Sequence, residues 1–147
     1  MRAPLAARET EIVEKALAAL PRTAGLQGRI TEAGPHRAPC GDVLIEIKTP
    51  NRAYPFVAEV KNVRHFATIS LVKDQLACAK RGVQPLLVAP YITRALAEHC
   101  RTLHLPFLDT AGNAYLEAPG LTVYITGEPR PADVQDNIRY RASPLPA

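Results

Sequence analysis

The most informative stretch of the chain spans residues 41–62 and reads GDVLIEIKTPNRAYPFVAEVKN. β-branched residues occupy every second position from Val43 to Ile47, as a half-buried strand requires. A second strand is predicted over residues 55–61, and turn-forming residues separate the two runs. We therefore predict an antiparallel hairpin whose turn is centred near Asn51.

The hairpin carries charged side chains that could assemble a metal site. Glu59 and Lys61 lie two residues apart in the second strand, so they point to the same face. Asp42 is expected opposite residues 59 to 61, with cross-strand Cβ atoms roughly 5 Å apart directly or 7 to 8 Å apart on the diagonal. Two carboxylates at that separation suit Mg²⁺ or Mn²⁺, which prefer oxygen ligands. Asp42 and Glu59 are therefore the predicted metal ligands.

Lys61 completes a set of groups that fits phosphodiester hydrolysis. That reaction needs a positioned water or hydroxide, a Lewis acid on the scissile phosphate, and positive charge near the attacking or developing oxygens. Lys61, on the same face as Glu59, would orient the water or neutralise the phosphate. The sequence thus predicts a hydrolytic site on this hairpin.

These residues resemble the PD-(D/E)XK phosphodiesterase superfamily. Residues 59–61 (EVK) match the second half of its motif, while the first acid stands in residues 39–42 (PCGD) instead of a Pro-Asp pair. The superfamily also uses this order of elements: a helix, the hairpin, then a helix and a strand. The resemblance implies a restriction-endonuclease-like α/β fold, a mixed sheet flanked by helices, with an accessory catalytic glutamine at Gln75. Ala79 replaces the tyrosine that accompanies this glutamine in some branches.

The second half of the chain narrows the resemblance. Residues 85–93 (PLLVAPYIT) and 105–116 (LPFLDTAGNAYL) look like the core of bacterial AbiEi-type antitoxins and putative transcriptional regulators. The likeness covers roughly residues 55–127. Those proteins usually add a winged-helix segment to the nuclease-like domain, and none is expected here. Both a trimmed and a naturally short member of the family remain open.

Length and composition indicate one domain with an aliphatic core. The chain has 147 residues, of which 47% are hydrophobic and 5% aromatic, which suffices for a single core. We predict a nuclease-like domain over residues 1–128 and a Pro/Arg-rich tail or linker over residues 129–147. The formal net charge of +4 favours an anionic partner only mildly.

Cysteine usage and the N-terminal sequence indicate a cytoplasmic protein. Cys40, Cys78 and Cys100 are odd in number and contain no CxxC pair, which is typical of a reducing compartment. The first nine residues become charged quickly, so no signal peptide is expected. No run approaches the length of a membrane span, so no membrane partner is expected either.

Apolar periodicity predicts the remaining elements. The predicted elements are a helix over residues 9–20 ended by Pro21, a strand over 28–33, a helix over 68–81 stopped by Gly82, a strand over 86–89, a helical face from Ile92 to Leu103, a hairpin over 107–117 turning at Gly112-Asn113, and a last strand over 121–126.

Each candidate site residue also has a simpler structural interpretation. Glu59 and Lys61 could form an exposed cross-strand charge pattern. Asp42 could merely open its strand in a turn, and Gln75 could be a solvated helix residue. Both interpretations stay open at the level of sequence.

Other polar residues have weaker claims on the site. Glu46 is four residues after Asp42, so both side chains lie on the same face of the strand. Glu46 would face solvent unless the end of the sheet is covered. Glu9, or with less support Glu14, could project from the first helix toward the metal, although a surface position is the simpler interpretation. The four histidines, at positions 36, 65, 99 and 104, lack the spacing of a zinc site.

The leading prediction is therefore metal-dependent phosphodiester hydrolysis on DNA, with Gln75 assisting Asp42, Glu59 and Lys61. The alternative is a catalytically silent DNA-binding regulator or antitoxin-like module, and a protein-interaction module has less support. DNA is the expected partner, and a homodimer and a cognate toxin are further candidates. In the regulator, DNA binding would depend on surface arginines, namely Arg64, Arg81 and Arg139.

Overall fold

The structure is a computed structural model that describes residues 7–33, 41–79 and 82–134. The described helices are α1 (Ala7–Ala24), α2 (Phe66–Gln75) and α3 (Arg94–Thr102), and a short 3-10 helix at Leu76–Cys78 continues α2. The described strands are β1 (Gln27–Ala33), β2 (Val43–Lys48), β3 (Ala53–Val60), β4 (Gln84–Ala89), β5 (Phe107–Asp109), β6 (Ala114–Ala118) and β7 (Leu121–Ile125).

All seven strands form one mixed sheet in the order β1 to β7. The pairs β3–β4 and β4–β5 are parallel, and the other pairs are antiparallel. Because parallel neighbours need a crossover, α2 connects β3 to β4 and α3 connects β4 to β5. The predicted α/β class, with a mixed sheet flanked by helices, is confirmed.

The sheet has one apolar core on each face. On the first face α1 packs through Val13 and Leu20 against alternating residues of the strands, including Ile45. On the second face α2 and α3 cover the opposite residues of the same strands, including Val57. Both cores are largely aliphatic, as the composition predicts. This two-sided packing fixes which side chains of β3 point toward which helices.

The end of α1 differs from the prediction that Pro21 stops it. The helix continues through Pro21 to Ala24. A proline in the last turn removes only one hydrogen bond, and the exposed ring of Pro21 lies beside solvent. The helix ends instead at Gly25, whose φ of 71° is left-handed and whose N–H donates to the Pro21 carbonyl at 3.1 Å.

The end of α2 is also earlier than predicted. The α-helix stops at Gln75 and tightens into the 3-10 turn, and the backbone is already extended at Ala79. Gly82 is therefore not the residue that stops it, because buried Leu76 completes the packing in the tighter turn. Residues 80–81 lie outside the described part of the chain.

The two predicted hairpins are confirmed. Strands β2 and β3 are antiparallel, and Thr49 closes their turn by donating its N–H to the Arg52 carbonyl at 2.8 Å. Strands β5 and β6 are antiparallel around the turn that contains Gly112 and Asn113. Strand β7 then adds to β6, so β5, β6 and β7 form an antiparallel end of the sheet.

Candidate functional site

Asp42 lies just before β2, across the hairpin from the end of β3. The register pairs Val43 with Ala58, and Asp42 stands one residue before Val43. The Asp42 N–H donates to the Ala58 carbonyl at 2.6 Å, and the Val60 N–H donates to Asp42 Oδ2 at 2.9 Å. One oxygen of Asp42 therefore helps to close the end of the hairpin. The same bond fixes the direction of the carboxylate.

Glu59 and Lys61 lie at the carboxyl end of β3. Glu59 is 5% exposed, because its neighbours Ala58 and Val60 face α1 while its own side chain points toward the α2 and α3 side. Lys61 Nζ lies 3.9 Å from Glu59 Oε2, and the Lys61 side chain is 40% exposed. The ion pair therefore joins a buried carboxylate to a solvent-accessible ammonium group.

Gly41 controls how the chain approaches Asp42. Its φ is 77°, and a Cβ atom there would lie 2.7 Å from Val57 Cγ2 and 2.9 Å from the Ala58 carbonyl oxygen. Only glycine fits both the left-handed backbone and this close approach to β3. The sequence offers Gly41 as a neighbour of Asp42, but its role appears only in three dimensions.

The other candidate residues occupy different positions. Gln75 is exposed at the end of α2, and among the described residues no hydrogen bond joins its side chain to Asp42, Glu59 or Lys61. Its accessory role stays a prediction. Glu46 pairs with Arg29 at 3.1 Å, at the other end of β2.

The acids of α1 lie on the helix that covers the first face of the sheet, opposite to the face of Glu59. Glu9 is half-buried in the first turn, and Glu14 is exposed. Neither position brings a third carboxylate to the hairpin: within residues 7–33, 41–79 and 82–134, no cluster of three or more histidine, cysteine or acidic side chains could hold a metal ion.

The described cysteines are free thiols in contrasting surroundings. Cys78 is exposed, whereas Cys100 is buried in α3 and burial raises its pKa to about 12. Cys40 and His36 lie outside the described residues. The Cys100 thiol is thus neutral at physiological pH and belongs to the core.

A buried hydrogen-bond network surrounds Asp109 at the end of β5. Asp109 is fully buried, and its Oδ1 accepts the N–H groups of Ala111 and Asn113, both at 2.9 Å. Its Oδ2 accepts the Ile92 N–H and the Asn113 side-chain N–H, both at 2.8 Å. Burial raises the pKa of Asp109, and these four donors oppose the shift.

This network ties three distant segments together. Asn113 also accepts the Glu128 N–H at 3.0 Å, so the β5–β6 turn holds the chain after β7. Residues 129–134, at the start of the predicted tail, pack near the domain as well, since Arg130 lies over the Tyr91 ring and Lys15 pairs with Asp133. The signal in the sequence was an Asp at a strand end with a backbone turn two residues later.

A cavity of about 230 Å³ opens beside Lys61, where β3 and β4 end. Its lining includes Asn62, which follows Lys61 directly, together with Arg64 and Arg130. In α/β sheets ligands bind in crevices at the carboxyl ends of parallel strands. Of the arginines predicted to bind DNA, Arg64 lies here, whereas Arg81 and Arg139 lie outside the described residues.

Comparison of the chain with protein-family models, with curated proteins and with solved structures found no match. No helix among the described residues is long and apolar enough to cross a membrane.

Proposed function

We propose that this chain is a metal-dependent phosphodiesterase acting on DNA, with Asp42 and Glu59 as metal ligands and Lys61 as the catalytic cation. The observation that supports the proposal is the buried Glu59 with its ion pair to Lys61, Nζ to Oε2 3.9 Å, at the end of β3. Asp42 lies across the hairpin from that end, where its Oδ2 accepts the Val60 N–H. A mere surface charge pattern would not bury Glu59 to 5% exposure.

The donor set fits Mg²⁺ or Mn²⁺. Magnesium sites commonly use one or two protein carboxylates and complete their shell with water and substrate phosphate, so a pair of acids is sufficient. The Val60 N–H holds Asp42 in a fixed orientation, which reduces the cost of ordering a ligand. The ion would supply Lewis-acid polarisation of the scissile phosphate.

The protein groups have separate roles in the proposed hydrolysis. A water oxygen bonds to phosphorus, one P–O bond breaks, and the departing oxygen takes a proton. Glu59 holds the Lys61 ammonium at the carboxyl end of β3, where it faces solvent and can meet a phosphate oxygen. Positive charge fixed at that place stabilises the negative charge that develops during attack. Gln75 would act as an accessory only if the end of α2 approaches the substrate.

The proposal predicts divalent-metal-dependent cleavage that Glu59→Gln abolishes. Purified protein would be incubated with plasmid, linear duplex and single-stranded DNA in Mg²⁺, Mn²⁺ or EDTA. The matched control is Glu46→Gln. Glu46 is an acid of the same hairpin, on the same strand face as Asp42, but it pairs with Arg29 toward the far end of β2. Cleavage in EDTA, or cleavage by Glu59→Gln at the parental rate, would contradict the proposal.

Metal binding can be measured independently of cleavage. A cation that binds only the folded state raises thermal stability by mass action. We expect Mn²⁺ to raise the melting temperature of the parent and of Glu46→Gln, but not that of Glu59→Gln. Calorimetry that shows no binding at millimolar Mn²⁺ would remove the metal from the proposal.

The second candidate function is a DNA-binding regulator or antitoxin-like module without turnover. The observation in its favour is the cavity lined by Arg64 and Arg130 where β3 and β4 end. Salt-sensitive DNA binding without cleavage would support this candidate. A homodimer, a cognate toxin and a cytoplasmic location remain proposals under either function; the free thiols of Cys78 and Cys100 are compatible with that location.

A further inference from the structure

The cavity beside Lys61 has an aromatic wall that is already ordered. Phe66, the first residue of α2, is 51% exposed although it is a large apolar side chain. One face of its ring stacks on His99, with centroids 4.5 Å apart and planes 15° apart. The stack fixes the orientation of Phe66 at the cavity, so a planar ligand would find a prepared platform.

The same cavity is electropositive. Arg64 and Arg130 line it, and no acidic side chain among the described residues does so. Arg130 lies over the Tyr91 ring, 4.6 Å from its centroid, and Tyr91 donates its hydroxyl to the Glu128 carbonyl at 2.7 Å. Arg64 is half-buried, and within the described part of the chain no carboxylate pairs with it. A half-buried cation of this kind favours an anionic ligand.

Two helices start at the cavity and add to this potential. Phe66 at the start of α2, and Thr93, which caps α3, both belong to its lining. Neither helix carries an acidic residue in its first turn. Helix N-termini favour negative charge through their free N–H groups, so they reinforce the two arginines.

We propose that this cavity binds one unpaired nucleotide of single-stranded DNA, with its base on Phe66 and its phosphate at Arg64 and Arg130. A volume of about 230 Å³ lies below the usual 300 to 1,000 Å³ of sites for drug-sized ligands, which suits one small planar group. A base inside a duplex cannot offer its face to an aromatic ring, whereas unpaired bases stack on such rings readily. The proposal rests on the proposed DNA function and names its substrate class.

The test is binding of a labelled single-stranded oligonucleotide in EDTA, measured by fluorescence anisotropy. Phe66→Leu keeps an apolar side chain but loses the stacking face, and we expect about 10-fold weaker binding. Phe66→Trp should retain parental affinity. The matched control is Leu71→Ala, because Leu71 is 53% exposed on the same helix but does not line the cavity, and it should bind as the parent does.

The proposed phosphate contact is tested by Arg64→Ala. This variant should lower the slope of log affinity against log salt concentration by about 1. Arg52→Ala, at the exposed β2–β3 turn, should leave that slope unchanged. Equal affinity of parent and Phe66→Leu, equal loss in Leu71→Ala, or affinity for the matched duplex or RNA as high as for the single strand would each overturn the inference.

These outcomes are distinct from those of the proposed catalysis. Single-strand binding that depends on Phe66, with no cleavage by any metal-loaded sample, would support the nucleotide site and refute the hydrolytic function. Metal-dependent cleavage by the parent, together with equal single-strand affinity of the parent and Phe66→Leu, would support the hydrolytic function and refute the nucleotide site.

Discussion

Two buried acids, Glu59 and Asp109, lie at the carboxyl ends of parallel strands, and they differ in what surrounds their oxygens. Asp109 receives four N–H donors at 2.8 or 2.9 Å, all from backbone or amide groups of the folded chain. Glu59 instead faces the Lys61 ammonium at 3.9 Å, on a flexible side chain that is 40% exposed. Both carboxylates are buried. The described donors of Asp109 belong to the folded backbone and to an amide, whereas the described ion-pair partner of Glu59 is a lysine side chain that reaches solvent.

This difference separates a structural acid from a candidate functional one. A carboxylate whose acceptor positions are filled by fixed donors gains nothing from a ligand and loses much if it is altered. A carboxylate beside a mobile ammonium can exchange that contact for water, a metal ion or a substrate-bound charge. Burial alone therefore does not distinguish the two acids; the solvent exposure of the described partner does.

The largest expected effect is on the Asp109 side of the comparison. Asp109→Asn keeps the side-chain volume but turns an acceptor oxygen into an amide that faces two N–H donors. We expect the free energy of unfolding to fall by about 3 to 5 kcal/mol, as for other broken buried charge networks. Urea denaturation at pH 7 measures it.

Asp133→Asn is the control for that experiment, since Asp133 is exposed and its described ion pair is with Lys15 at the surface. It should change stability by less than about 1 kcal/mol. A loss that small in Asp109→Asn would show that its four hydrogen bonds contribute little, and the comparison would fail.

The next effect is on catalysis. Lys61→Ala removes the charge beside Glu59, and we expect the rate of metal-dependent DNA cleavage to fall at least ~100-fold, about 2.7 kcal/mol of transition-state stabilisation. Single-turnover kinetics with saturating protein would measure it. Lys48→Ala, an exposed lysine at the other end of β2, serves as control. Parental activity in Lys61→Ala would point to a contaminating nuclease.

A smaller loss of stability is expected at Gly41, the residue that brings the chain to Asp42. Gly41→Ala would place a Cβ atom 2.9 Å from the Ala58 carbonyl oxygen at a φ of 77°, and should cost about 2 kcal/mol of stability. Gly25→Ala has a similar φ of 71° but no atom within 4 Å of the added Cβ, so it isolates the backbone strain. Equal losses in the two variants would mean that contact with β3 is unimportant.

The sequence predicted the hairpin and most strands well because their signal is local. Alternation from Val43 to Ile47 and the turn at Asn51 require no knowledge of distant residues. The ends of helices were less predictable. Pro21 is compatible with a last helical turn, so the positive φ of Gly25, not the proline, decides where α1 ends.

The parts that the sequence did not predict depend on long-range contacts. Asp109 is held by donors from Ile92 and from its own turn, and Asn113 binds Glu128. The lining of the cavity comes from segments after β3, β4 and β7, so no single motif contains it. The position of Asp42 across the hairpin from the end of β3 could be predicted because one short turn connects the two strands.

The smallest expected effect is the one that decides the comparison. Glu59→Gln keeps the volume of the buried side chain and removes a charge whose desolvation opposes folding. The variant also loses the ion pair with Lys61, but a pair with a 40% exposed partner contributes little. These changes oppose each other, so the free energy of unfolding should shift by less than about 1 kcal/mol in either direction. In a double-mutant cycle of Glu59→Gln and Lys61→Met, the coupling free energy for unfolding should also be less than about 1 kcal/mol. A loss near that of Asp109→Asn would make Glu59 a structural acid, because the fold would then depend on its acceptor oxygens as it does at Asp109.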